Sequence, residues 1–232
     1  MRFQDAAKDA RAVVYAGIQA DPLVARAAAL LAEADPGQRV LARAVMNGET
    51  TDATAWRVTF PTLFADESEV SDGPGGPSQA DRERSEAILA CALEVADRGD
   101  EIRNQVRGAI VEAVTERLLA TRAGAAAVRR ERRILFDGVR AEIHPYDVTV
   151  ERDGAAEAYD CKWGARGINA DVLDQLDDAR THAADEDERL AVALVVFDAR
   201  LSCEVRLARQ TGRTEGIGLI TLESLDDLGA RR

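Results

Sequence analysis

The run Tyr159-Asp160-Cys161-Lys162-Trp163 sets an aspartate two residues before one of only two lysines in a chain that carries 28 arginines. Where arginine is the default cation, lysine marks a place that wants a compact ammonium with a movable donor and a tunable pKa. A planar guanidinium supplies neither. The run reads as a strand, so Asp160 and Lys162, at positions i and i+2, share one face. Upstream, Pro145-Tyr146-Asp147-Val148-Thr149-Val150 reads as a neighbouring strand that presents Asp147 on the face opposite Tyr146 and Val148. Earlier still, Gly108-Ala109-Ile110-Val111-Glu112 puts a glutamate one helical turn above a glycine, where a helix can approach a sheet closely. Glu116 follows a turn later and could take its place. Clustered hard oxygen donors suit a divalent metal, and a cation or general base beside an attacking water completes the needs of metal-assisted phosphodiester hydrolysis. The plain alternative is an ordinary Asp–Lys ion pair on one strand face.

Several elements must position these residues. Helices are expected over 3–20 and 22–34, the second opened by Asp21-Pro22 and closed by Asp35-Pro36-Gly37, with a third over 38–46. Residues 54–64 read as a strand or extended segment. The run Ser71-Asp72-Gly73-Pro74-Gly75-Gly76-Pro77-Ser78 excludes regular structure. It divides the chain into a helical N-terminal region (1–70), a linker or loop (71–80) and a second domain (81–232). Helical periodicity resumes over 80–98 and 101–123. A hairpin follows around Asp137-Gly138, with a third strand over 156–163 after the Arg152-Asp153-Gly154 turn. A helix over 169–184, a buried strand over Leu190–Phe197, a helix over 200–210, a short strand over 217–221 and a last helical turn complete the pattern. From residue 101 the order is α-β-β-β-α-β, an α/β mixed sheet flanked by helices.

A helix Glu, a strand Asp and an Asp-x-Lys on the next strand, in that element order, resemble the PD-(D/E)xK restriction-endonuclease-like nucleases. Pro145-Tyr146-Asp147 stands at the first acidic motif with one residue inserted, and Asp160-Cys161-Lys162 matches the second without a gap. The resemblance covers about residues 101–200 and implies an αβββαβ core carrying a Mg²⁺- or Mn²⁺-dependent nuclease site. It implies that Asp147, Asp160, Glu112 and the Cys161 backbone carbonyl hold the metal, and that Lys162 orients water and steadies developing charge. Gln175 resembles the glutamine that Mrr-like and RecB-like branches carry on the following helix, although Asp178 stands where RecB-like members have tyrosine. By the same resemblance the substrate is nucleic acid, DNA before RNA, in restriction, repair or defence, and the enzyme acts as a homodimer or with a partner subunit. His144 could serve as an accessory group, or be structural like Gln175; Trp163 and Tyr146 read as core.

The net charge of −12 sits awkwardly with binding a phosphate backbone. Residues 103–140 run against it, with nine arginines and four acids. Within them Arg129, Arg130, Arg132 and Arg133 form the basic run best suited to nucleic acid. The acidic remainder favours the rival reading of a catalytically silent α/β subunit that binds or assembles through its acidic surface. Cys91, Cys161 and Cys203 form no Cys-x-x-Cys pair, which excludes a locally encoded zinc ribbon and fits a reducing compartment. No signal core opens the chain and no stretch approaches the ~18 apolar residues that span a bilayer, so a soluble, cytoplasmic protein without membrane contact is expected.

Overall fold

Aspartates start the early helices. The computed structural model describes residues 1–6, 10–65, 76–137, 139–140, 144–152, 155–210 and 214–230. It opens with strand β1 (Arg2–Asp5) and helix α1 (Ala10–Gln19). Helix α2 (Pro22–Ala32) is capped by Asp21, whose side chain accepts from Leu23 N, with proline at the first turn where no N–H is needed. Helix α3 (Pro36–Asn47) starts in a capping box, Asp35 and Gln38 satisfying each other's backbone N–H. Asp52 caps a short α4 (Ala53–Thr59), and Ser78 caps α5 (Gln79–Ala96). Then come α6 (Asp100–Ala123), β2 (Val128–Phe136), β3 (Val139–Arg140), β4 (Tyr146–Val150), β5 (Ala156–Lys162), α7 (Ala170–Asp185), β6 (Leu190–Val196), α8 (Arg200–Leu207) and β7 (Ile217–Ile220), with a closing 3-10 turn over Leu222–Leu228.

Two early expectations are corrected. Residues 2–5 form a strand, not the start of a helix: Phe3 pairs opposite Ile134 and packs on the sheet's core, so the apolar Met1 and Phe3 follow a period of two. Residues 53–59 are helical, not extended. The Asp52 cap starts them, and Trp56 Nε1 donates to Thr50 O at 3.1 Å, which fixes the entry of the chain.

The chain forms two compact units, one of residues 1–15 and 111–232 and one of residues 16–110. This differs from a boundary at 71–80. Gln38 Nε2 donates to Asp81 O and to Ser85 Oγ, and Ile88, Leu89 and Ala92 of α5 are buried with Leu31, Leu41 and Val45, so α5 belongs with the helices before it. Of the Gly/Pro run, residues 71–75 lie outside the described residues, as do Gly138 and the Asp153-Gly154 turn.

The unit of 1–15 and 111–232 is α/β. Its mixed sheet runs β1-β2-β4-β5-β6-β7, with β3 pairing β2 off this path. Strands β2, β4 and β5 are antiparallel neighbours, while β6 is parallel to β5 and β7 to β6. Along β5 alternate residues serve opposite faces. Ala156 and Ala158 join Ile134, Phe136, Leu173, Leu176 and Leu194 in a core under α7. Glu157 and Tyr159 instead meet Arg122, and Cys161 meets Thr115, both on α6. The continuous Leu190–Val196 run is buried at all but one position, as a central strand covered on both faces requires. Among the described residues no helix is long and apolar enough to cross a membrane.

The Arg122 guanidinium forks onto both oxygens of Glu157, at 2.9 and 2.6 Å, with the two side chains only 10% and 20% exposed. This pair ties α6 to β5. Arg122→Ala strands Glu157 in a poorly hydrated place and should lower the unfolding free energy by about 2–3 kcal/mol, between the values for exposed and buried pairs. Urea denaturation measures it; a loss under about 1 kcal/mol would show that packing alone seats α6.

Candidate active site

Strands β4 and β5 fork at the site. They pair through Val148 and Tyr159, and beyond that pair the Cys161 N–H goes to the side chain of Asp147, donating to Oδ2 at 2.6 Å. On the other side of β4, Arg130 pairs with Val148 and Arg132 with Tyr146, which leaves Glu131 and Asp147 between the two pairs. Glu131 has φ 52°, in the left-handed region that a residue with a side chain seldom adopts. The strain resets the strand. Regular alternation would put Arg130 and Ile134 on one face, yet Arg130 reaches Glu116 on α6 while Ile134 lies in the core under α7. The same reset occurs at Asp147. Tyr146 donates its hydroxyl to Gln175 O on α7, whereas Val148 stands opposite Tyr159 on the α6 side. Tyr146 and Val148 therefore do not share a face, contrary to the expectation from alternation. Residues that break a local rule at one point of a sheet are where function is to be sought.

The two resets bring carboxylates together. Oxygens of Glu112, Glu131 and Asp147 all lie within 4.8 Å of one another. Glu112 is 4% exposed, and the other two are partly buried. Burial drives the Asp147 pKa well above the usual carboxylate range, and the charges of Asp160 and Glu112 push it further. Lys162 and the Cys161 N–H act in the opposite sense without cancelling the rise. The Tyr15 hydroxyl donates to Glu112 Oε1 at 2.5 Å. Burial first, then the Glu112 carboxylate, raises the phenol's own pKa, so it stays a donor. Hard oxygen donors at this density fit a divalent cation of the Mg²⁺ or Mn²⁺ kind.

Lys162 flanks the cluster. Its ammonium ion-pairs with Asp160, as i, i+2 spacing on a strand allows. Burial would lower its pKa, but Asp160 and Asp147 outweigh that and hold it above the ordinary lysine value, so it is a cation and a donor. Gly167, in the 3-10 turn Ala165–Gly167 after β5, lets the turn lie against the lysine stem; a Cβ there would meet Lys162 Cδ at 2.8 Å and Cγ at 2.9 Å. Trp163 stacks on Phe197 with ring centroids 5.1 Å apart.

Of the expected ligands, then, Glu112 and Asp147 come together, while Asp160 faces Lys162 and Glu131 completes the close group. Cys161, expected to offer its carbonyl, contributes its N–H to Asp147; its buried thiol donates to Thr115 Oγ1 at 3.6 Å and has its pKa raised by burial. Glu116, weighed as a substitute for Glu112, is ion-paired with Arg130. Gln175 is a brace. It accepts from His144 N at 3.2 Å and donates to His144 O at 3.1 Å, anchoring the chain three residues before Asp147 while His144 itself is exposed. In the basic run, Arg130 is held by Glu116 and Arg132 by Asp5 and Glu151, while Arg129 is exposed and Arg133 partly buried. Sequence reasoning missed Glu131 and Tyr15. Glu131 did carry a signal, as the one acid inside Arg-Arg-Glu-Arg-Arg.

Fold and site together define an α/β protein with a carboxylate cluster and a lysine at a fork between strands. No protein-family model matches the chain, and no curated protein matches it. Among solved structures, the crystal structure of protein VC1899 from Vibrio cholerae is similar, with 17% sequence identity and a TM-score of 0.42 over 98% of this chain. The chain spans 56% of that protein's length.

A carboxyl that holds its proton more tightly folded than unfolded favours the fold below the unfolded pKa, about 3.9 for aspartate. It costs stability as the pH rises past that value and through its folded pKa. Asp147→Asn keeps an acceptor for the Cys161 N–H. It should raise the Tm of metal-free protein at about pH 7 and lose that advantage at about pH 3, below the unfolded pKa, where both states are protonated. Calorimetry at the two pH values tests this, and a lower Tm at neutral pH would show that Asp147 is not under electrostatic stress.

Proposed function

We propose that this protein is a metal-dependent nuclease of the PD-(D/E)xK restriction-endonuclease-like kind, hydrolysing phosphodiester bonds in DNA. The observation that carries the reading is the Glu112–Glu131–Asp147 cluster with the Asp160–Lys162 pair beside it. The order α6, β2, β4, β5, α7, β6, with the short β3 off the sheet path, supports it: three antiparallel strands followed by a helix and a parallel strand are what an αβββαβ core would need.

In this reading Glu112, Glu131 and Asp147 hold Mg²⁺ or Mn²⁺, with Asp160 close enough to Asp147 to share in the field. The ion, when bound, supplies charge neutralisation and Lewis-acid polarisation at the scissile phosphate. The Cys161 N–H fixes the rotamer of Asp147, and Asp160 holds the Lys162 ammonium at the edge of the cluster. With Asp160 and Asp147 holding its pKa up, Lys162 serves as an electrostatic group and a donor. It orients water and steadies negative charge gathering on the phosphoryl oxygens. With a net charge of −12 and Arg130 and Arg132 engaged by acids, much of the grip on DNA falls to a second copy or a partner subunit. A cytoplasmic setting in restriction, repair or defence belongs to the same proposal.

Supercoiled plasmid and short single- and double-stranded oligonucleotides, each with Mg²⁺ or Mn²⁺, form the test. Cleavage should require the metal and be lost in Asp147→Asn. It should fall on the order of 10²-fold or more in Lys162→Ala, the scale for removing one preorganised donor. Gly167→Ala, which touches no carboxylate, should also slow turnover by displacing the lysine stem. No cleavage, together with no metal-induced rise in Tm, would instead favour a binding or assembly subunit.

A further inference from the structure

Several arginines of the sheet unit are spent on acids: Arg122 on Glu157, Arg130 on Glu116, Arg132 on Asp5 and Glu151. One stretch of surface differs. Residues 162–169, which leave the end of β5, carry Lys162 and Arg166 and no acid. Residues 200–210, α8 and the turn after it, carry Arg200, Arg206 and Arg209 against Glu204 alone. The fold joins the two. Arg206 Nε donates to Ile168 O at 2.9 Å, and Ile168 N donates to Ala165 O at 3.1 Å, closing the turn that holds Arg166. Gly167 of that turn lies against the Lys162 stem. Arg209 N donates to Arg206 O at 3.2 Å, which sets Arg209 one turn on and on the same side. Arg166 and Arg209 are exposed and Arg206 is partly buried, and among the described residues no acid pairs with any of the three.

The neighbouring acids are occupied or turned away. Glu204 stands two positions before Arg206, about 200° round the helix, and so looks the other way. Arg200 is not counted with the others, because its backbone N–H binds both oxygens of Glu223 and its charge acts on the same carboxylate. Asp198 is 7% exposed and accepts from Ala165 N and Ala199 N, which braces the turn from below. Asp171 lies in the first turn of α7, where the positive end of the helix offsets it. Guanidiniums not tied to acids, set in a row that ends at an ammonium, are suited to phosphate oxygens: each presents a planar fork of donors and keeps its charge.

We propose that Arg166, Arg206 and Arg209 form a track for the sugar–phosphate backbone of the DNA substrate, leading to Lys162 at the edge of the carboxylate cluster. The proposal rests on the nuclease reading above. It names the share of the grip that this chain itself supplies, and it places that share on the turn after β5 and on α8, not on the basic run of β2.

Fluorescence anisotropy of a labelled duplex oligonucleotide, read over a range of NaCl concentrations in EDTA and again with CaCl₂, tests it on the full chain. Arg166→Gln and Arg209→Gln should each lower the slope of log Kd against log salt by about one, and the double variant by about two, as lost phosphate contacts require. Arg129→Gln, on the exposed start of β2, should leave the slope as it is in the wild type. An equal fall in Arg129→Gln would overturn the track in favour of diffuse attraction. A wild-type slope in the double variant would overturn it too, while metal-dependent cleavage of plasmid by that variant would leave the nuclease reading standing. Displacement of the probe by poly-glutamate as readily as by unlabelled duplex would overturn it in favour of an acidic protein partner. A wild-type chain with no affinity for the duplex would overturn the track, and one that also fails to cut plasmid with Mg²⁺ or Mn²⁺ would overturn the reading on which it rests.

Discussion

Like charges held close in a partly dry place repel, and the sheet unit of this protein is built around one such repulsion. Glu112, Glu131 and Asp147 stand within 4.8 Å of one another, with Asp160 acting on Asp147 from the next strand. Left to themselves the carboxyls would separate or take up protons, and the raised pKa of Asp147 shows the second response. A fold that keeps them together must hold each from behind. Glu112 is held by the Tyr15 hydroxyl and by a helix tied down through Arg122 and Glu157. Asp147 is held by the Cys161 N–H, and Glu131 by a left-handed backbone between two paired neighbours. Such strain typically costs about 1–3 kcal/mol and persists only where the surroundings over-determine it.

The geometry of the fork follows from the same constraint. A sheet with perfect alternation would place Asp147 and Glu131 on a single face in register with their neighbours, and each would be a routine surface or core position. Resetting both strands at the same level lets Tyr146 and Ile134 fill the core under α7 while Arg130 and Val148 serve the α6 side. The carboxylates occupy the step between. Gln175 then holds the backbone at His144 from both sides, so that the start of β4 cannot slide. Register matters here more than elsewhere, because a slip of one residue would carry Asp147 to the other face.

Much of this was legible in the sequence, and the parts that were not have physical reasons. Asp160 and Lys162 were readable because i, i+2 spacing on a strand is a local fact, as were the Leu190–Val196 strand and the Asp21 cap; Asp35, read as the close of one helix, caps the start of the next. Glu112 was singled out by its place a turn above Gly108, and Asp147 by its strand before the Asp-x-Lys strand; the two carboxylates do come together. Glu131 was not, because its role depends on a φ of 52° and on the register with β4, neither of which its neighbours announce. Tyr15 depends on a contact across 97 residues. Strand β1 was hidden for the same reason: four residues pair with β2 more than a hundred positions away, and only the period-two placing of Met1 and Phe3 hinted at it. The compact units divide elsewhere than at the Gly/Pro run, because they are set by contacts distant in sequence. The hydrogen bonds of Gln38 to Asp81 and Ser85 carry the N-terminal unit past it.

The imbalance between arginine and lysine gains a physical meaning from these contacts. Arg122, Arg130 and Arg132 act as struts that fasten elements through acids, and the forked guanidinium suits that task because it gives two directed bonds and stays charged. Arg122 spends donors on Glu157, on Leu228 O and on the Tyr159 hydroxyl in this way. Lys162 is different. It sits at the edge of the cluster with a stem lodged against Gly167 and a side chain 26% exposed, held by one carboxylate and attracted by another. Glu112, Glu131, Asp147 and Asp160 stand around that one ammonium. In the proposed nuclease reading a divalent cation joins these carboxylates while the struts stay in place, and the lysine turns a donor toward a phosphate oxygen.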